Sequence, residues 1–338
     1  MTSPASSVLV LGGTSWLGGR VAALAREAGH DVTCLARGES GTVPQGVTLV
    51  RGDRSRPDAY TDLPDRRWDL VVDVARQPGH VRSAVGALSD RADAWAFVSS
   101  CSVYASHADH AADESAAVLP ALEADEATAE QYGEGKVACE QAVLDARDGA
   151  ALVARSGLIV GSGDPSERFG YWPSRFALAA RDGGPVLVPE QTDRPVQWVH
   201  VDDLAAWLLS AGLAGTTGVV NASGATTPLG AVLDAAADAS GFVGERVPAS
   251  DEALAAASVE EYMGPRSLPL WLHDVDWLGF QDRDTSAARS LGLAQRPLAD
   301  TVRDALAWEE HLGLDRPRTR AGLDRADELA VIAGIRSR

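Results

Sequence analysis

The chain has 338 residues, 45% of them hydrophobic and 23% charged, with a formal net charge of -18 at pH 7. That length and composition fit one large globular domain, or a domain carrying a smaller lobe. The acid excess argues against nucleic acid as a partner, which needs a basic face to displace counterions, and against anionic membrane surfaces. Three cysteines, Cys34, Cys101 and Cys139, have no metal-ligand spacing and read as small buried hydrophobes in a reducing compartment. The N-terminal Met-Thr-Ser-Pro-Ala-Ser-Ser has no basic segment and no long apolar core, and no run approaches a membrane span, so a cytoplasmic protein is expected.

Val8–Leu11 is a short apolar run, as a central parallel strand covered on both faces requires. It passes into Gly12-Gly13-Thr14-Ser15-Trp16-Leu17-Gly18, and Val21, Leu24 and Ala25 then recur at helical spacing. Gly12 turns the backbone and Gly18 lets the new helix approach the strand; the helix N-terminus offers free N–H groups to a diphosphate. Gly12, Thr14, Ser15, Trp16, Leu17 and Gly18 are therefore the expected phosphate site of a dinucleotide. Ser15 stands where the fingerprint has its middle glycine.

Asp31–Ala36 reads as a second strand, ending in Arg37 rather than in the acid that grips ribose hydroxyls. An arginine there pairs with a 2′-phosphate, which favours NADP(H) over NAD(H). Val47–Val50 is a third strand followed by Asp53 and Arg54; Asp53 is placed to accept from an adenine amino group, or to cap a helix. Asp69–Val74, with Val74 and Ala75 expected along the cofactor, and Ala94–Ser99 complete five strands in βα alternation. The expected fold is α/β, a Rossmann-type doubly wound parallel sheet with a smaller mixed C-terminal lobe.

Residues 105–130 carry seven acids and no Lys or Arg, and read as a solvated loop with a short helical piece; His107 and His110, which flank Asp109, have no third ligand converging on them, so no metal is expected. Tyr132 and Lys136 follow. Lys136 is the only lysine in the chain, and with five tyrosines its falling four residues after one has a chance of about 1 in 70 for random placement. On a helix the two share a face, where an ammonium brings the phenol toward acid-base use. Ser100, at a strand end, is placed to orient a substrate oxygen, with a strand-end cap as its structural alternative.

Together these residues resemble the short-chain dehydrogenase/reductase superfamily in its extended, epimerase/dehydratase-like branch. The resemblance extends through Arg51-Gly52-Asp53, Ser99–Tyr104, Gly161–Pro165 and Trp198–Ala205. It implies that Tyr132 is the general acid/base, Lys136 the ribose-binding residue that lowers its pKa, and Ser100 the substrate-orienting hydroxyl; Asp53 lies at the adenine and Arg37 at the 2′-phosphate. Cys101-Ser102 stands where dehydratases of the branch have an Asp-Glu pair, which disfavours dehydration. Leu158 occupies the position of an epimerase asparagine, which weakens a nucleotide-sugar substrate.

Six of the nine tryptophans lie beyond residue 155, as a lobe shaping an apolar pocket would have them. Ser102, Arg168, Trp172, Arg175 and Arg194 are the candidate substrate residues, the arginines for an anionic group. Asp202 is expected to cap a helix, and helices are expected over 298–311 and 323–335. Residues 1–155 read as the NAD(P)-binding part and 156–338 as an interleaved substrate lobe. The expected activity is NADP(H)-dependent oxidoreduction of a carbonyl or secondary alcohol of a small molecule. Transient-oxidation epimerisation of a sugar or nucleotide-sugar is one alternative, and a non-catalytic NAD(P)-binding sensor or RNA-associated protein another. A homodimer through the helices beside the sheet is the expected assembly.

Overall fold

All five residues of Ser7–Leu11 (β1) are buried, so this strand needs a neighbour on each side and a helix layer on each face. The computed structural model, which describes residues 5–337, supplies both. Asp31–Ala36 (β2) and Trp68–Asp73 (β4) pair with it in parallel, and Thr48–Arg51 (β3), Ala92–Ser100 (β5) and Leu152–Ser156 (β6) extend the parallel sheet, β3 beside β2, β5 beside β4 and β6 beside β5. The strand Gly218–Ala222 returns from the second half of the chain to pair beside β6. In space the order runs β3-β2-β1-β4-β5-β6 and then Gly218–Ala222. The order reverses beside β1, and a doubly wound sheet opens its ligand crevice at the carboxyl ends of the strands there.

Trp16–Glu27 (α1) and the helix Val201–Leu213 bury Val21, Ala25, Leu204 and Leu208 against one face of the sheet. Pro78–Leu88 (α2) and Tyr132–Ala146 (α3) bury Val81, Val85, Cys139 and Val143 against the other. The lobe has its own core, in which Phe169, Trp172, Phe176, Trp198 and Trp271 pack with the helices Leu229–Ser240 and Leu298–Leu312. Tryptophans read as pocket formers are thus mostly core: Trp172, Trp198, Trp207 and Trp271 are at most 2% exposed, whereas Trp277 is 45% exposed. Among the described residues no helix is long and apolar enough to cross a membrane.

Two local expectations are corrected. Residues 105–130 contain no helix. Their backbone is held from outside: the Arg82 guanidinium donates to the carbonyls of Leu122, Glu123 and Ala124, and the Gln77 amide both donates to and accepts from Ala127. Carbonyls turned toward one guanidinium are lost to a helical ladder. Asp202 is not the cap of its helix. His200 is, its Nδ1 accepting from the Asp202 N–H at 3.1 Å, while Asp202 lies inside the first turn and pairs with Arg20 at 2.6 Å.

Candidate functional site

The cleft at the carboxyl ends of β1, β2 and β3 is lined by Gly12, Thr14, Ser15, Ala36, Arg37, Gly38, Asp53, Arg54 and His80. Gly12 adopts φ +92°, a left-handed conformation that favours glycine, and a Cβ there would lie 2.8 Å from Val74. Gly18 lies directly on the Gly12 carbonyl with no room for a side chain. Ser15, in place of the middle glycine, caps α1: its Oγ accepts from the Gly18 N–H at 3.3 Å and donates to the Gly12 carbonyl at 2.7 Å. The Trp16 and Leu17 amides keep no acceptor among the described residues and remain available to a phosphate. This cradle fits a dinucleotide diphosphate.

At the far end of the cleft, Arg37 is exposed and pairs with Glu39 at 3.1 Å. Asp53 accepts from the Ser55 N–H at 3.0 Å and hydroxyl at 2.8 Å, and these bonds hold its carboxyl below the usual range. Asp53 therefore lines the cleft and closes a local turn at once. The Arg54 guanidinium reaches the buried Asp73 at 2.9 Å, and the same carboxylate oxygen accepts from the Ala75 N–H at 2.9 Å, fixing the chain just past β4. His80, which the sequence reading missed, faces this group; burial first, then the Arg54 charge, push its pKa down.

The Tyr132–Lys136 pair opens α3. Lys136 is 2% exposed, and its Nζ donates to the carbonyls of Ala75 and Val98, each at 2.7 Å. The ammonium lies 6.0 Å from the Tyr132 ring centre and 4.9 Å from that of Phe97. Gly133 lets the first turn of α3 rest on the Ser102 carbonyl, so that the phenol-bearing end of the helix meets the end of β5. There the Ser100 Oγ accepts from the Ser102 N–H and donates to the Ser102 Oγ, both at 3.1 Å. Ser100 is thus a strand-end cap as well as a hydroxyl facing α3. Burial raises the neighbouring Cys101 thiol to about 11, which keeps it neutral.

A second cation beside the phenol, Arg76, also escaped the sequence reading: its guanidinium lies 5.5 Å from the Tyr132 ring centre. Its position one residue past Ala75, at the carboxyl end of a parallel strand, was the available signal.

The lobe candidates divide. Arg168 stacks over the Tyr262 ring at 4.9 Å, its Nε buried with no hydrogen-bond partner, and its charge acts on Cys101. The other three are absorbed by the lobe. Trp172 is fully buried and donates to the Pro269 carbonyl at 2.8 Å. Arg175 pairs with the buried Glu328 at 3.3 Å and bonds the Leu323 carbonyl. Arg194 pairs with Asp251 at 2.6 Å and bonds the Leu272 carbonyl. Arginines with carboxylate partners already in place are poor receptors for a second anion.

His107 and His110 are likewise occupied. Arg283 donates to the His107 Nδ1 at 2.7 Å, and burial together with that guanidinium lowers the His107 pKa to about 4. His110 meets Asp282 at 2.7 Å.

The phosphate loop is tied to the lobe. The Trp16 Nε1 donates to the Ser162 carbonyl at 2.8 Å; the Ser162 hydroxyl and N–H donate to Asp304 at 2.8 and 2.6 Å, and the His200 Nε2 meets Asp304 at 2.9 Å. These bonds, the His200 one first, hold the Asp304 carboxyl down to about 2.

Comparison with known proteins gives a consistent picture. The model of the NAD dependent epimerase/dehydratase family matches residues 8–222. The 2′-dehydrokanamycin reductase of Streptomyces kanamyceticus is 31% identical over 217 residues, 60% of this chain and 56% of that protein, so the match spans little more than half of the relative. Among solved structures, the UDP-Glc/GlcNAc 4-epimerase of Campylobacter jejuni superposes with a TM-score of 0.68 at 15% identity, covering 91% of this chain and all of that one. The UDP-N-acetylglucosamine 4-epimerase of Bacillus cereus gives 0.65 at 17% identity, over 90% of this chain and 100% of its own. The Bordetella bronchiseptica enzyme WbmF, solved with NAD+, gives 0.61 at 16% identity, over 98% of this chain and 96% of its own. At these identities the structures establish the shared fold.

Proposed function

The chain belongs to the NAD dependent epimerase/dehydratase family, and from that premise we propose that it is an NAD(P)-dependent enzyme of the extended short-chain dehydrogenase/reductase type that reduces or oxidises a small-molecule carbonyl/alcohol pair, with NADP(H) as its cofactor. The observation that carries this reading is the Tyr132–Lys136 pair, set at the carboxyl end of the sheet with the ammonium fixed to the Ala75 and Val98 carbonyls.

In this reading Gly12, Thr14, Ser15, Trp16, Leu17 and Gly18 hold the diphosphate, Asp53 and Arg54 the adenosine end, and Val74 and Ala75 border the nicotinamide side. A bound nicotinamide cofactor supplies or accepts the hydride. Tyr132 exchanges the proton with the substrate oxygen, within reach of general acid-base work. Lys136, with two of its three N–H groups on backbone carbonyls, turns the third toward a ribose hydroxyl. Ser100, held at the end of β5 beside the Ser102 hydroxyl, orients the substrate oxygen, with Ser102 next to it. Arg168 borders the substrate from the lobe. The NADP(H) assignment rests on Arg37 at the end of β2.

The reductase direction is favoured by the curated relative, which is named as a reductase. The epimerase names among the structural neighbours favour a second reading, oxidation followed by return of the hydride to the same carbon. Incubating the purified protein with NADPH and a panel of ketones and aldehydes separates the two. Net NADPH consumption that vanishes in Tyr132→Phe supports the reductase; a tightly held NAD+ with no net consumption moves the assignment to the epimerase.

A further inference from the structure

The chain carries 48 acids against 30 cations, and its arginines are for the most part neutralised nearby: Arg54 by Asp73, Arg82 by Asp125, Arg155 by Glu140 and Arg175 by Glu328. Arg76 is an exception at a telling place. It is exposed, and among the described residues it makes no ion pair and donates no side-chain hydrogen bond, yet its guanidinium lies over the Tyr132 ring at 5.5 Å.

Its backbone is held on both sides. Just before it, the Ala75 N–H is bonded to Asp73 and the Ala75 carbonyl to Lys136. Just after it, the Gln77 side chain is locked onto Ala127 through both amide atoms, and Pro78 begins α2. A cation on so fixed a base, beside the proton-transferring phenol and without an acid of its own, is organised to receive a charge from outside the protein.

We propose that Arg76 binds a carboxylate of the substrate, so that the enzyme acts on oxo acids or hydroxy acids whose carboxylate lies within a few bonds of the reacting carbon. This rests on the assignment of Tyr132 as the proton-transfer group. A single planar guanidinium matches a monoanionic carboxylate through two parallel hydrogen bonds. A phosphate dianion calls for a second cation, and the other one flanking the phenol, Lys136, is 2% exposed with two N–H groups already used.

The test uses the full-length protein loaded with NADPH and titrated with pyruvate, acetoacetate and levulinate, each beside its methyl ester, with dihydroxyacetone phosphate as the phosphate-bearing control. At least one acid is expected to bind about tenfold or more tightly than its ester, the scale of one charge-assisted bidentate contact. Arg76→Ala and Arg76→Gln should erase that gap and leave ester binding and the melting temperature unchanged, while Arg76→Lys keeps part of it.

Equal binding of acids and esters, absence of binding by every acid, a gap that survives in Arg76→Ala, or tighter binding of dihydroxyacetone phosphate would each overturn the proposal. Turnover of an acid that depends on Tyr132 but is unchanged in Arg76→Ala would leave the reductase reading standing and remove this one. Arg76-dependent acid binding without NADPH consumption for any carbonyl would do the opposite.

Discussion

The Lys136 ammonium and the Tyr132 phenol share one face of α3, yet the strongest bonds of the lysine run past the tyrosine to the sheet, 2.7 Å to each of the Ala75 and Val98 carbonyls. The lysine is thereby a tie between α3 and the ends of two strands as well as a cation at the reacting centre. Its loss has two separable effects.

Tyr132→Phe is expected to lower turnover by about a hundredfold or more while cofactor binding and the melting temperature stay near wild type. Lys136→Met keeps the length of the side chain and removes its donors. It should also abolish turnover, and in addition cost roughly 2–3 kcal/mol because two inward carbonyls lose their partner. Steady-state assays beside denaturant melts check this, and equal stability of the two variants would contradict the tie.

Glu39 competes for the cation on which the NADP(H) assignment rests. Arg37→Ala should cancel any preference for NADPH over NADH. Glu39→Gln should sharpen it, by about threefold to tenfold, since it frees the guanidinium and removes an acid from beside the 2′-phosphate. Thermal-shift titrations with each cofactor read both, because a ligand confined to the folded state stabilises it by RT ln(1 + [L]/Kd).

Ser15 caps α1 where a glycine would leave the Gly18 N–H without that acceptor. Ser15→Ala should destabilise the cofactor-free protein by about 1 kcal/mol and Ser15→Gly by a few tenths. Urea unfolding without cofactor is the measurement; if Ser15→Gly proves the costlier change, the capping role is wrong.

His107 gives the protein an acid-side weakness. Its ring packs against both Trp277 and Phe280 and accepts from Arg283, so the folded state resists protonation down to about pH 4, while the unfolded chain binds the proton near the ordinary value of 6.5. The unfolded state holds more protons in that interval, so stability falls as pH drops from about 6.5 to 4. The loss should amount to roughly 2–3 kcal/mol and be largely absent in His107→Phe, as melting curves across this range would show.

What could be read from the sequence was what its near neighbours decide. The branched run into Gly12 and the helix after it are set by local sterics and periodicity, and the Tyr132–Lys136 spacing lies within one helical turn. Arg76 was hidden because the phenol it faces comes much later in the chain, and no period links the two.

The same applies to Arg175, which looked available until Glu328 came to meet it, and to Trp16, whose partner Ser162 is 146 residues away. The capping of the helix Val201–Leu213 was misread for a subtler reason. Asp is the commoner cap, but the backbone places His200 at the non-helical position, and an imidazole nitrogen accepts the bond equally well. The acidic stretch 105–130 had no periodicity to read, since its course is set by Arg82 and Gln77 on another element.

The seclusion of Lys136 has a practical side. A chain whose only lysine is 2% exposed offers amine-directed chemistry no side-chain target while it is folded. Acetylation, reductive methylation and lysine-directed crosslinking would all have to wait for α3 to part from the sheet. The extent of labelling at this one residue would therefore act as a clock for that opening, and anything bound between the helix and the strand ends would slow it.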